Sequence, residues 1–64
     1  MTEKKVAENL KKVVKKFLIN HIPPLAGRAT LSVVLVKFRE TLSDQEAKDH
    51  ITEAIKELNY ESKL

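Results

Sequence analysis

Residues 23–44, PPLAGRATLSVVLVKFRETLSD, form the stretch that decides the fold class. Its centre, residues 33–36, is an unbroken apolar run. The β-branched valines and threonines of this stretch favour a strand locally. A strand over residues 30–38 would, however, carry apolar side chains on both faces, and the sequence offers no second strand to pair with it. A lone strand leaves its backbone hydrogen-bonding groups unpaired, so the strand interpretation is costly.

The same stretch also fits a helix. Its larger apolar residues recur at spacings of four, three and four positions, which places them on one helical face: Leu31, Leu35, Phe38 and Leu42. Pro24 suits the first turn of a helix, where a missing amide hydrogen costs nothing. Gly27 opposes the helix, since glycine in a helix interior costs about 1 kcal/mol relative to alanine. The pattern predicts a helix over residues 24–41.

Two flanking segments predict helices more strongly. In residues 2–20, apolar side chains fall on one arc and lysines on the opposite arc. The apolar arc contains Val6, Leu10, Val13, Val14, Phe17 and Leu18. Thr2 suits the N-cap, and Glu3 lies in the first turn, where the helix dipole favours an acid.

Residues 44–59 predict the third helix. Ser43 and Glu46 have the spacing of a capping box, in which the serine hydroxyl accepts a hydrogen bond from the Glu46 amide. The apolar stripe of this helix is narrow, and its opposite face is acidic. Residues 60–64 show no periodicity, and we expect them to fray.

The prediction is therefore one domain over residues 1–64, an all-α, up-down-up bundle of three helices. The alternative is a helix–strand–helix chain whose strands pair across a dimer. In both cases the middle element is apolar on more than one side, and a second copy of the chain would cover the excess. We expect the middle helix to be central and to dimerise through Leu31, Val33, Val34, Val36 and Phe38.

Composition narrows the class of protein. The chain has 64 residues, of which 42% are hydrophobic and 33% charged, and such a small domain is marginally stable alone. It has no cysteine, which excludes disulfides and cysteine metal sites and fits a cytoplasmic setting. The longest uncharged run, residues 17–27, is too short for a membrane span, and the first residues do not resemble a signal peptide.

The charge is unevenly distributed along the chain. Residues 1–22 carry six lysines and two glutamates, whereas residues 43–64 carry three lysines and six acids. A cationic face on the first helix could bind an acidic protein, a nucleic-acid backbone or an anionic surface. It could also be a solvated face, or it could pair with the acidic third helix. The residues predicted to meet a charged partner are Lys4, Lys11, Lys12, Lys15 and Lys16.

No pattern in the sequence indicates catalysis. The chain has a single glycine, and it lacks phosphate-binding loops, zinc-protease motifs and nucleophile elbows. His21, Asp49 and His50 have no spacing typical of a metal site. Glu53 and Glu57 are better explained as part of a solvated face than as an acid–base pair. We therefore expect no catalytic residues, no metal and no cofactor.

The sequence predicts a small, non-enzymatic, cytoplasmic regulator that forms a homodimer and binds an unidentified protein. Binding to nucleic acid or to an anionic surface through the lysine face of the first helix is the alternative. Nucleic acid is the less favoured partner, because the last helix is acidic and the chain has only three aromatic residues for base stacking.

Overall fold

The computed structural model describes residues 2–20 and 24–60, with the side chains of Leu25 and Tyr60 excepted. It contains three helices: α1 over Glu3–Asn20, α2 over Leu25–Glu40 and α3 over Gln45–Tyr60. The described residues include no strand, so the prediction of an all-helical chain is confirmed and the helix–strand–helix alternative is wrong. Helix α3 ends at Tyr60, the first residue of the tail predicted to fray, and residues 61–64 lie outside the described part.

Helix α2 forms although its central residues are β-branched. It runs through residues 30–38 without interruption and buries Leu35, while Leu42 is buried just beyond its end. Packing of this face against α3 outweighs the local strand preference, as tertiary context commonly does. Gly27 lies inside the helix, and its φ is not positive.

The spatial centre of the fold is α3, not α2. Helix α3 packs extensively against both α1 and α2, whereas α1 and α2 have little contact with each other. This corrects the prediction that the middle helix of the sequence is the central one. The physical reason is the composition of the narrow α3 stripe, in which two alanines permit close approach of both neighbours. Every member of the stripe is buried: Ala47, Ile51, Ala54, Ile55 and Leu58.

The contacts of α3 define a register with each neighbour. Lys4 and Lys11 of α1 pair with Glu46 and Glu53 of α3, so both contacts share an offset of 42 residues. On the other side, Ser32 bonds to Asn59, and Arg39 bonds to Thr52. Contacts nearer the C-terminus of α1 fall nearer the C-terminus of α3. Contacts nearer the C-terminus of α2 fall nearer the N-terminus of α3.

The N-terminus of α3 is capped differently from the prediction. The Glu46 amide donates to the Asp44 carboxylate at 2.8 Å, so Asp44 is the N-cap and the predicted Ser43 cap is wrong. Ser43 instead donates from its amide and its hydroxyl to the carboxylate of Glu3, at 2.8 and 3.1 Å. The Asp44 amide donates to the same carboxylate at 3.0 Å. An acid from α1 therefore satisfies backbone donors at the start of α3.

The start of α1 agrees with the sequence. The Lys5 amide donates to the Thr2 hydroxyl at 3.2 Å, which confirms Thr2 as a cap. One face of α1 is directed into the core, where Ala7 and Val14 are buried. Val13, assigned to the same apolar arc, is instead exposed, because it lies about 100° from Val14 around the helix.

Candidate interaction faces

The predicted self-association residues divide into two groups. Val33 and Val34 are each 56% exposed, and α3 does not cover them. Leu31, Val36 and Phe38 are partly buried and pack against the core. Only the two valines present large apolar surface to the outside, and the other three residues contribute mainly to the fold.

A groove of about 590 Å³ runs between α2 and α3 beside Val33. Val33 and Val36 line it on α2, and Ile55 lines it on α3. Its remaining lining is small, polar or charged: Ala29, Ser32, Asn59, Lys37 and Glu40. Since Val36 and Ile55 also pack in or against the core, the groove has a fixed apolar floor and an open side.

Residues 26–36 of α2 present no charged side chain to the solvent. The sole ionisable residue in this segment is Arg28, which is 8% exposed. We call the exposed side chains of this segment the α2 outer face: Ala26, Gly27, Ala29, Thr30, Val33 and Val34. Exposed charge returns at Lys37. An uncharged surface of this kind is typical of a protein-contact region and atypical of a solvated helix face.

Two of the five predicted lysines form ion pairs with acids of α3. The ammonium of Lys4 lies 2.6 Å from the Glu46 carboxylate, and Lys11 pairs with Glu53. Hydrogen bonding to these carboxylates raises the pKa of Lys4 and of Lys11, and the bond from Lys11 lowers the pKa of Glu53. Part of the basic character of α1 therefore complements the acidic helix α3, as one of the sequence-based alternatives proposed.

The other three lysines lie on the far side of α1. Lys12, Lys15 and Lys16 are exposed, and within the described residues their one ion pair joins Lys12 to Glu8 at 3.7 Å. They share a shallow surface with Val13 and Ile19, whose exposed fractions are 61% and 71%. We call this surface the α1 outer face: Asn9, Lys12, Val13, Lys15, Lys16 and Ile19.

Sequence reasoning missed the apolar part of the α1 outer face. Ile19 follows Lys15 by four positions and Lys16 by three, and this spacing alone places it among the lysines. This spacing could be read from the sequence, but the single isoleucine was overlooked among the lysines of the same arc.

Among residues 2–20 and 24–60, no group of three or more metal-ligating side chains comes together. His21, considered above with Asp49 and His50, lies outside the described part. The Glu53 carboxylate forms an ion pair with Lys11, and this pairing favours a structural role for the carboxylate.

No described helix combines the length and apolarity needed to cross a bilayer. Comparisons of the chain with protein-family models, curated proteins and solved structures find no match. Among the described residues, the two outer faces are therefore the features that bear on function.

Proposed function

We propose that this protein is a non-enzymatic, self-associating protein-binding module, and that α2 forms its self-contact. The observation that carries the proposal is the exposure of Val33 and Val34 within a segment of α2, residues 26–36, that presents no charge to the solvent. Burying such apolar surface against another chain contributes roughly 25 cal/mol for each Å² removed from water. Self-association also stabilises a 64-residue domain, because the small core of such a domain gives only marginal stability alone.

The occupant of the α2 outer face is a second copy of the chain. A two-fold dimer brings the same patch of both copies together, so a patch that carries charge repels itself. The α2 outer face is neutral and avoids this repulsion. The α1 outer face, with three lysines, does not, so it is unsuited to contact its own copy.

We infer the relative directions of the three helices from their contact registers. A constant offset between α1 and α3 is what parallel neighbours produce, and the opposed register of α2 and α3 is what antiparallel neighbours produce. Together they support the predicted up-down-up bundle. In this arrangement the α2 outer face lies on the outside of the bundle, accessible to a second copy.

Binding of a polyanion through the lysines of α1 is the second candidate. Lys4 and Lys11 support it poorly, because both are paired with α3. Lys12, Lys15 and Lys16 support it, because they are exposed together on one surface. A cytoplasmic setting and a regulatory role stay predictions from the sequence.

The test replaces one exposed valine and uses another as its control. Val33→Lys places a charge in the centre of the α2 outer face, and Val13→Lys makes the same change at an equally exposed valine of α1. We expect Val33→Lys to raise the dimer dissociation constant by at least about tenfold, as for a central interface residue. Val13→Lys should leave it unchanged. Size-exclusion chromatography with light scattering over a concentration series measures both.

Val36 is a poorer position for this test, because it packs against the core and a charge there would also destabilise the fold. Circular dichroism of each variant establishes that its helices remain. A Val33→Lys protein that is as dimeric as the wild type would overturn the proposed contact.

A further inference from the structure

The α1 outer face combines two kinds of side chain that a solvated helix face seldom combines. Lys12, Lys15 and Lys16 supply positive charge, and Val13 and Ile19 supply exposed apolar surface between them. A phosphate backbone attracts the lysines but gains little from the valine and isoleucine. An anionic lipid surface uses both, because its headgroups attract cations and its interfacial layer accepts apolar side chains.

We propose that α1 docks in the plane of an anionic lipid bilayer through its outer face. This contact is separate from self-association through α2. It commits the lysine face to a lipid surface and makes nucleic acid an outcome of the test.

The structure removes the main objection to such docking. If the apolar side of α1 entered the bilayer, the bundle would have to open, because Ala7 and Val14 are buried in the core. Val13 and Ile19 lie outside that core and reach an external surface while the bundle stays closed. Interfacial helices bind in this manner, parallel to the membrane plane, without spanning it.

The length of α1 suits a contact along its axis. Its 18 residues extend over roughly 27 Å at 1.5 Å per residue. The lysines and apolar residues of the outer face occupy the second half of this length, from Lys12 to Ile19. Glu8 directly precedes Asn9 of this surface, and its pairing with Lys12 at 3.7 Å reduces its repulsion of anionic headgroups.

Vesicle co-sedimentation of the full chain tests the proposal. We expect binding to phosphatidylcholine vesicles that contain about one-third phosphatidylserine, weak binding to pure phosphatidylcholine, and loss of binding at high salt. Lys12→Ala with Lys16→Ala should weaken binding roughly twenty-five-fold, at about fivefold for each lysine. Lys37→Ala, on α2, is the matched control and should change it little.

A second pair of variants separates lipid from nucleic acid. Val13→Ser with Ile19→Ser should weaken vesicle binding roughly tenfold, because it removes the apolar part of the contact. Any affinity for duplex DNA should be unchanged by the same variants, since their charge is unaltered. Thr41→Ser, at an exposed position outside both outer faces, is the control, and circular dichroism checks that all variants remain helical.

Two results would overturn the proposal. One is an absence of binding to the anionic vesicles at low salt. The other is vesicle binding that the serine variants leave intact, which would assign the face to a general polyanion. Neither result bears on dimerisation, because Val33 and its neighbours are not part of the α1 outer face. A monomer that binds vesicles would contradict only the function proposed above.

Discussion

Glu3 connects the first turn of α1 to the start of α3 through its carboxylate. It accepts hydrogen bonds from the amides of Asp44 and Ser43, and these bonds hold its pKa below the usual 4.5. A carboxyl group whose pKa is lower in the folded state stabilises the fold at pH values above its unfolded pKa. That stabilisation is lost as the pH falls through the folded pKa.

We therefore expect the melting temperature to decline as the pH falls below about 4.5, and we expect Glu3→Gln to reduce this decline. The uncharged variant should also melt at a lower temperature than the wild type at pH 7, because the amide is a weaker acceptor at a helix N-terminus. Thermal unfolding followed by circular dichroism between pH 3 and pH 7 measures both effects. Glu40→Gln, at an exposed position of α2, is the control; an equal effect there would contradict the assigned role of Glu3.

Asp44, not Ser43, is the N-cap of α3, so the two residues should respond differently to replacement. Asp44→Ala removes the acceptor of the Glu46 amide and should destabilise the protein by about 1 kcal/mol. Urea denaturation provides the free energy of unfolding, and Asp49→Ala within α3 serves as the control. A smaller loss for Asp44→Ala than for Asp49→Ala would contradict the cap assignment.

Among the three helices, α2 was the hardest to predict from the sequence, and the reason for this difficulty is physical. Helices α1 and α3 have one apolar face each, and their periodicity indicated a helix directly. Helix α2 carries valines on both its inner and its outer side, which weakens that periodicity. The spacing of Leu31, Leu35 and Phe38 still indicated the helix correctly.

Gly27 weakens α2 without any visible structural need for glycine. It lies in the helix with a φ that is not positive, and its position is exposed. Gly27→Ala should therefore stabilise the protein by about 1 kcal/mol, partly by restricting the unfolded chain. Urea denaturation measures the change. Destabilisation would show that a neighbouring chain or segment approaches the backbone closely at this position.

At the scale of the whole molecule, less could be predicted. The capping role of Glu3 and the ion pairs of Lys4 and Lys11 depend on a register between α1 and α3, and residues 42 positions apart reveal no such register in a single sequence. For the same reason the sequence placed five lysines on one binding face, whereas two of them pair with α3. The exposure of Val33 follows from the position of α2 in the bundle. Because α3 is the central helix, one side of α2 stays uncovered.

The two outer faces give the molecule an asymmetric surface. The α2 outer face is neutral and suits a second copy, and the α1 outer face is cationic and suits an anionic partner. Because they lie on different helices, substitutions on one face should leave the other face's binding intact.

Sedimentation equilibrium of the wild-type protein at low and high salt tests the central claim most directly. Contact through an uncharged apolar face should persist when salt screens charges, so we predict a dimer whose dissociation constant is unchanged or smaller at high salt. A helical protein that remains monomeric at both salt concentrations would contradict self-association. A dimer that dissociates at high salt would contradict the assignment of the contact to Val33 and Val34.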